Sequence, residues 1–158
     1  MHWMLGAAKR FNQDIGDWNV AAVTDMSVMF RYAFVFNQDI GDWDVSAVTD
    51  MHRMFKEADA FNQDIGDWNV AAVTEMDNMF NDADAFNEDI GEWKTSSLKW
   101  ASGMFKGNDV FNQDISNWDV SKAKYMDSMF QDAKVFNQDL AKWCAVSVHR
   151  CLRRHLRG

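Results

Sequence analysis

Proline is missing from all 158 residues, so the turns of this chain have to be made by glycine, asparagine and aspartate. Cysteine is nearly missing too. Its two copies, Cys144 and Cys151, both lie in the last 15 residues, which excludes a disulfide framework through the body. No apolar run approaches the ~18 residues of a membrane span, so membrane insertion is not expected. Met1–Arg10 lacks an apolar core and a cleavage site, and no signal peptide is visible. Basic residues are scarce outside the tail. Of the net charge of −8, residues 142–158 contribute +5, leaving −13 on residues 1–141. An acidic body of that size repels phosphate backbones and argues against nucleic acid as a partner. Only His52 of the four histidines lies in the body, and no Ser-His-Asp or Cys-His arrangement is readable. The expectation is that the chain is not an enzyme.

What is present is repetition. Phe61-Asn62-Gln63-Asp64-Ile65-Gly66-Asp67-Trp68 is one of six versions of a single unit. Its Phe recurs at Phe11, Phe36, Phe86, Phe111 and Phe136, and its Trp at Trp18, Trp43, Trp93, Trp118 and Trp143, always 25 residues apart. A fixed period of this length marks a stacked repeat. With 47% hydrophobic and 14% aromatic residues, the chain can bury a core. A single domain over 1–158 is expected, with a partial N-terminal coil at 1–10, repeats over 11–143 and a basic C-terminal capping helix at 144–158. Met1, Met4, Leu5 and Ala8 stand 25 residues before Met26, Met29, Phe30 and Ala33, so the chain reads as entering partway through a coil, as a piece of a longer array would.

Each unit divides in two. Met26, Met29, Phe30 and Ala33 follow i, i+3, i+4, i+7, which predicts a helix of two to three turns with Thr24 as N-cap and Asp25 in its first turn. Thr49 with Asp50 and Thr74 with Glu75 repeat the arrangement. In the other half, Ile15, Trp18 and Val20 favour β structure, and a strand is expected near Gln13–Gly16. The fold expected is thus an α/β repeat: a right-handed, leucine-rich-repeat-like solenoid with one short parallel strand and one short helix per 25-residue coil. The fourth coil departs from the others. Ala101 replaces a Met, Trp100 replaces an acid, and Gly103 weakens the expected helix. Trp100 is either a contact residue or a ring folded over the space left by Ala101.

The motifs Phe-Asn-x-Asp-Ile, Trp-x-Val and Val-Thr-x-Met-x-x-Met-Phe, read over roughly residues 1–148, resemble the BspA-like family of bacterial surface-protein repeats. That family is often grouped with leucine-rich repeats. The resemblance implies display at a cell surface or outside the cell, with adhesion or protein binding as its role. It brings no catalytic residues.

The recurring Met and Trp residues read as core ladders rather than a soft-metal site. Asn12, Asn37, Asn62, Asn87, Asn112 and Asn137 read as an inward ladder bonding the backbone of adjacent turns. Cys144, His149, Cys151 and His155 match no common zinc spacing. Asp14, Asp39, Asp64, Asp89, Asp114 and Asp139 occupy one column. At ~5 Å separation, adjacent carboxylates repel by roughly 0.8 kcal/mol in water and ~3 at an effective dielectric of 20. Either each carboxylate caps backbone N–H groups, or cations bridge the column, Ca2+ being the natural ion for oxygen ligands. No other cofactor is expected. The outward pair on the expected helix varies from coil to coil: Ser27-Val28, His52-Arg53, Asp77-Asn78, Ser102-Gly103, Asp127-Ser128. His52, Arg53, Asp77, Asn78 and Trp100 are therefore the candidate contacts for a protein or cell-surface ligand. The competing expectation is a structural spacer, stiffened by Ca2+ along the Asp column.

Overall fold

The computed structural model describes residues 1–146. Its organising contacts run between coils. The N–H groups of Met26, Val28, Phe30 and Tyr32 donate to the carbonyls of Asp50, His52, Met54 and Lys56 at 2.9 to 3.0 Å. Met51, Arg53, Phe55 and Glu57 donate in the same way to Glu75, Asp77, Met79 and Asn81, each at 2.9 Å. The pattern continues from the third coil to the fourth and from the fourth to the fifth, and Trp3, Leu5 and Ala7 enter it by donating to Ser27, Met29 and Arg31.

Between these donors, the remaining N–H groups turn back on their own coil. Met29 donates to the Met26 carbonyl, Arg31 to Val28 and Ala33 to Phe30. Each such bond closes a β-turn, so the segment is a run of consecutive turns. Val28 and Tyr32, third residues of the 26–29 and 30–33 turns, have φ of 61° and 63°, the sign that type II turns require there. Arg53 and Glu57, Asn78 and Asp82, and Ser128 and Asp132 repeat this at the same positions.

The expected α/β coil is therefore corrected. The chain builds neither a helix nor a strand in each repeat, and it is not a leucine-rich-repeat-like solenoid of those elements. Among the described residues the only helix is α1, Ala141–Val146. In place of a parallel sheet there are four isolated bridges: Asp25 to Asp50, Asp50 to Glu75, Glu75 to Trp100 and Trp100 to Tyr125. The physical reason is competition for the same N–H groups. A helix would direct each one to the carbonyl four residues back, whereas here alternate ones reach the next coil and left-handed residues interrupt any helical run. Met26, Met29, Phe30 and Ala33 are fully buried all the same. Nor does Thr cap a helix. The Thr49 N–H and hydroxyl both donate to the Thr24 carbonyl, at 2.8 and 3.2 Å. No bridge falls on Gln13–Gly16, where the strand was expected. Of the expected capping helix at 144–158, residues 147–158 and the Cys144, His149, Cys151 and His155 side chains lie outside the described residues.

The core consists of aromatic columns. Phe30, Phe55, Phe80, Phe105 and Phe130 stack with centroids 5.4 to 5.7 Å apart. Phe11, Phe36, Phe61, Phe86, Phe111 and Phe136 form a second column at 6.0 to 6.2 Å. Within a coil the two columns touch, as where Phe55 lies 4.0 Å from Phe61. Each such aromatic pair adds about 0.5–1.5 kcal/mol beyond its buried area. The indole of Trp68 donates to the Ile40 carbonyl of the preceding coil at 3.1 Å, and Trp43, Trp93 and Trp118 do the same one coil apart. Among the described residues the buried Trp143 indole N–H finds no acceptor.

Glycine marks where coils come closest. A Cβ on Gly66 would lie 2.7 Å from the Asp89 carbonyl oxygen. Gly103 and Gly107, with φ of 61° and 69°, occupy the left-handed turn positions, so Gly103 suits this backbone rather than weakening it. At Gly107 a Cβ would overlap the Asp82 carboxylate. Gly107→Ala is expected to destabilise by about 1–3 kcal/mol, while Arg53→Gly, at an exposed left-handed position, should be neutral or gain up to about 1 kcal/mol. Chemical denaturation of both variants checks the turn geometry. Loss from Arg53→Gly together with no loss from Gly107→Ala would contradict it. In the same assay Trp68→Ala should cost about 3–5 kcal/mol and Trp143→Ala less, because Trp68 donates to the Ile40 carbonyl and has stacked coils on both sides, whereas Trp143 lies near the end of the described coils.

Candidate functional site

Along the line of bridges the repeat stops repeating. One position per coil reads Asp25, Asp50, Glu75, Trp100, Tyr125, and the residue before it reads Thr24, Thr49, Thr74, Lys99, Lys124. The bridges fix these backbones one coil apart, so side chains at equivalent positions become neighbours. One end of the ridge is acidic. The other is aromatic and basic.

At the aromatic end, the Trp100 and Tyr125 rings stack with centroids 6.4 Å apart and planes 7° from parallel. Tyr125 is 49% exposed. The Lys99 ammonium stands 5.6 Å from the Trp100 ring centroid, and Lys124 is exposed beside Tyr125. Trp100 therefore pairs with the next coil's aromatic residue.

At the acidic end, the Asp50 carboxylate accepts the His52 backbone N–H at 2.9 Å and lies 2.9 Å from His52 Nδ1. Asp25 makes the matching contacts to the Ser27 N–H and hydroxyl, at 2.8 and 2.5 Å. Burial pushes the Asp25 pKa up, but the Ser27 bonds, His2 and the amino terminus outweigh it and hold the carboxyl below its ordinary range. At Asp77 burial prevails. It raises the pKa despite the bond from the Ser102 N–H at 2.6 Å and the nearby His52 and Arg53 charges. His52, Arg53, Asp77, Asn78 and Trp100 all fall on this ridge or beside it, though on a run of turns and not on a helix. Arg53 is exposed. The left-handed Asn78 (φ 54°) lies in the coil before Gly103, where an added Cβ would come 2.7 Å from its Oδ1.

Lys99, Lys124 and Tyr125 were not singled out by sequence reasoning, and Asp50 and Glu75 were read only as first-turn acids of the expected helix. The signal was there in the 25-residue column through Trp100, which leads from three acids to a second aromatic.

The Asp column lies elsewhere and is spoken for locally. Asp14, Asp39, Asp64, Asp89, Asp114 and Asp139 each accept the N–H two residues on, at 2.9 to 3.0 Å. The Asn column does bridge coils: Asn37 Oδ1 accepts the Asn62 N–H at 2.9 Å, and Asn62 Oδ1 the Asn87 N–H at 2.8 Å. These asparagines are exposed or half-buried rather than inward.

The family described as Mycoplasma protein of unknown function, DUF285, matches residues 1–83 and again residues 63–153. The chain belongs to this family. Two overlapping matches are what near-identical units in tandem produce, and this DUF285 chain is a repeat protein. No curated protein and no solved structure matches it.

Because an amide oxygen serves as well as a carboxylate oxygen for these caps, Asp64→Asn should leave stability unchanged or slightly raised. Asp64→Ala should cost about 0.5–1 kcal/mol. Equal losses in the two variants, measured by urea unfolding, would mean that the charge and not the cap is what matters.

Proposed function

We propose that this chain is a non-enzymatic protein-binding module displayed at the cell surface, in keeping with its BspA-like resemblance, and that adhesion is its use. The observation that supports this reading is the stack of a half-buried Trp100 on an exposed Tyr125, with Lys99 and Lys124 beside it. The Phe, Trp and Asn columns repeat because packing and backbone bonding require it. On the ridge, side chains that are half-buried or exposed change from acids to aromatics between neighbouring coils, and the outward pairs beside them change too. Large aromatic residues in reach of solvent are typical anchors of protein interfaces, and the flanking lysines suit a partner carrying carboxylates. On this reading Arg53, Asp77 and Asn78 form the rim.

The test is binding of the purified chain to a panel of immobilised cell-surface and matrix proteins, in parallel with Trp100→Ala/Tyr125→Ala. The double variant should melt close to the parent, since both rings lie outside the core. It should lose about 2 kcal/mol of binding, roughly thirtyfold in affinity, as central aromatic contacts do. Undiminished binding by the double variant would move the contact surface elsewhere.

A structural spacer is the second reading, favoured by the unvarying Asp14-to-Asp139 column. Ca2+ stiffening along that column would raise the melting temperature in millimolar Ca2+ but not in Na+ at matched ionic strength. Since every carboxylate there already accepts a backbone N–H, identical melting in Ca2+ and in chelator is the expected result.

A further inference from the structure

We propose that Asp50, His52 and Glu75 form a binding site for a borderline divalent metal ion of the Zn2+ type. One donor atom from each of the three residues lies within 4.8 Å of the other two. All three side chains are half-buried, open enough to admit an ion and covered enough to be held in place. Two coils contribute. The parallel bridge between Asp50 and Glu75 sets their side chains next to each other, and the Asp50 bond to the His52 backbone N–H bends the chain so that the imidazole returns to the same carboxylate.

The donor set selects the ion. One imidazole nitrogen and two carboxylate oxygens suit Zn2+ or a neighbouring first-row ion, while Ca2+ and Mg2+ prefer oxygen alone. Tetrahedral Zn2+ with bonds of ~2.0–2.1 Å holds its donors about 3.3 Å apart. Asp50 and His52 Nδ1, at 2.9 Å, already approach that separation, and Glu75 can close the remainder by rotating its flexible side chain. The imidazole would bind as its neutral form with Nδ1 unprotonated, and a fourth position would remain for water.

Charge points the same way. No lysine or arginine pairs with Asp50 or Glu75 among the described residues, and Asp77 adds a third carboxylate close to His52. Arg53 is the nearby cation on the same segment, and it is exposed. Among the described residues the arrangement occurs once. The equivalents of His52 are His2 in the partial first coil and Ser27, Asp77, Ser102 and Asp127 in the others; His2 Nδ1 lies 4.0 Å from Asp25, and its contact there is the Ser27 hydroxyl. The site adjoins the aromatic end of the ridge, since Glu75 is bridged to Trp100, but it does not depend on the partner-binding reading.

The experiment uses the whole 158-residue chain carrying Cys144→Ser and Cys151→Ser, which removes the tail thiolates as competing ligands. After chelation and buffer exchange, Zn2+ is titrated by calorimetry and melting is followed alongside. One equivalent should bind and raise the melting temperature, with Ca2+ at equal concentration doing neither. His52→Ala and Glu75→Gln should each weaken Zn2+ binding by at least about tenfold while melting like the parent without metal. Co2+ should give visible absorption bands that His52→Ala abolishes. Equal Zn2+ affinity in the parent and both variants, preference for Ca2+, or no heat at millimolar Zn2+ would each overturn the proposal.

Discussion

Everything in this molecule depends on the backbone hydrogen bond that leaves one coil and ends on the next. Each donor from Met26 to Tyr32 skips a residue and lands on a carbonyl 24 positions later. That offset allows no insertion within a coil, which is why the period is constant. It also sets how closely coils approach. The contact of Gly66 with the Asp89 carbonyl, the spacing of the Phe columns and the reach of the Trp43, Trp68, Trp93 and Trp118 indoles to the Ile carbonyls behind them all follow. These terms cooperate, since a coil pulled out of register would lose its bonds, its aromatic neighbours and its indole acceptor together. They also offset the ten non-glycine residues held at positive φ, a conformation that costs about 1–2 kcal/mol at each.

This constraint explains what could be read in advance and what could not. The columns were legible because identical side chains at a fixed step have to meet if the coils stack, so Phe61, Trp68 and Asn62 were assigned their core and ladder roles from spacing alone. The identity of the local structure was not legible. Met26, Met29, Phe30 and Ala33 point inward in a run of turns as well as they would in a helix, and apolar periodicity records only which residues face the core. The distinguishing evidence was Gly103 and Gly107, four residues apart and aligned with Val28 and Tyr32. In a helix two such glycines are a flaw. In successive type II turns they are the residues the backbone prefers. The ridge was half legible: Trp100 stood out as an exception, but its meaning needed Tyr125, which becomes its neighbour only once the coils are in register.

Function then separates from stability along the chain's own geometry. At the bridge positions the backbone holds the stack together while the side chain faces outward, so the residue can change without disturbing what the coil contributes to its neighbours. Asp25, Glu75 and Tyr125 all meet that requirement with quite different chemistry. Core positions have less freedom, and three changes there, Thr95 for Val, Ala101 for Met and Asn108 for Ala, all fall in the coil that first carries an aromatic residue on the ridge.

Stacking also makes each outward column amplify whatever is written in it. Two carboxylates brought side by side repel by roughly 0.8 kcal/mol even in water, whereas two aromatic rings brought side by side attract. The Asp14-to-Asp139 column meets the first problem locally, each carboxylate accepting a backbone N–H of its own turn. Asp25 does so more fully, accepting both the N–H and the hydroxyl of Ser27. Asp50 has only the His52 N–H and the imidazole, and it faces Glu75 across the bridge. Of the acids on the ridge, this adjoining pair therefore has the most to gain from an added positive charge, and His52 is the side chain placed to share that charge with a metal. One coil further on, the column turns aromatic and the like-with-like contact becomes favourable without any ion. The same backbone thus presents an acidic, histidine-bearing segment and an aromatic, lysine-flanked one along a single ridge, with the difference carried entirely by side chains that the fold leaves free.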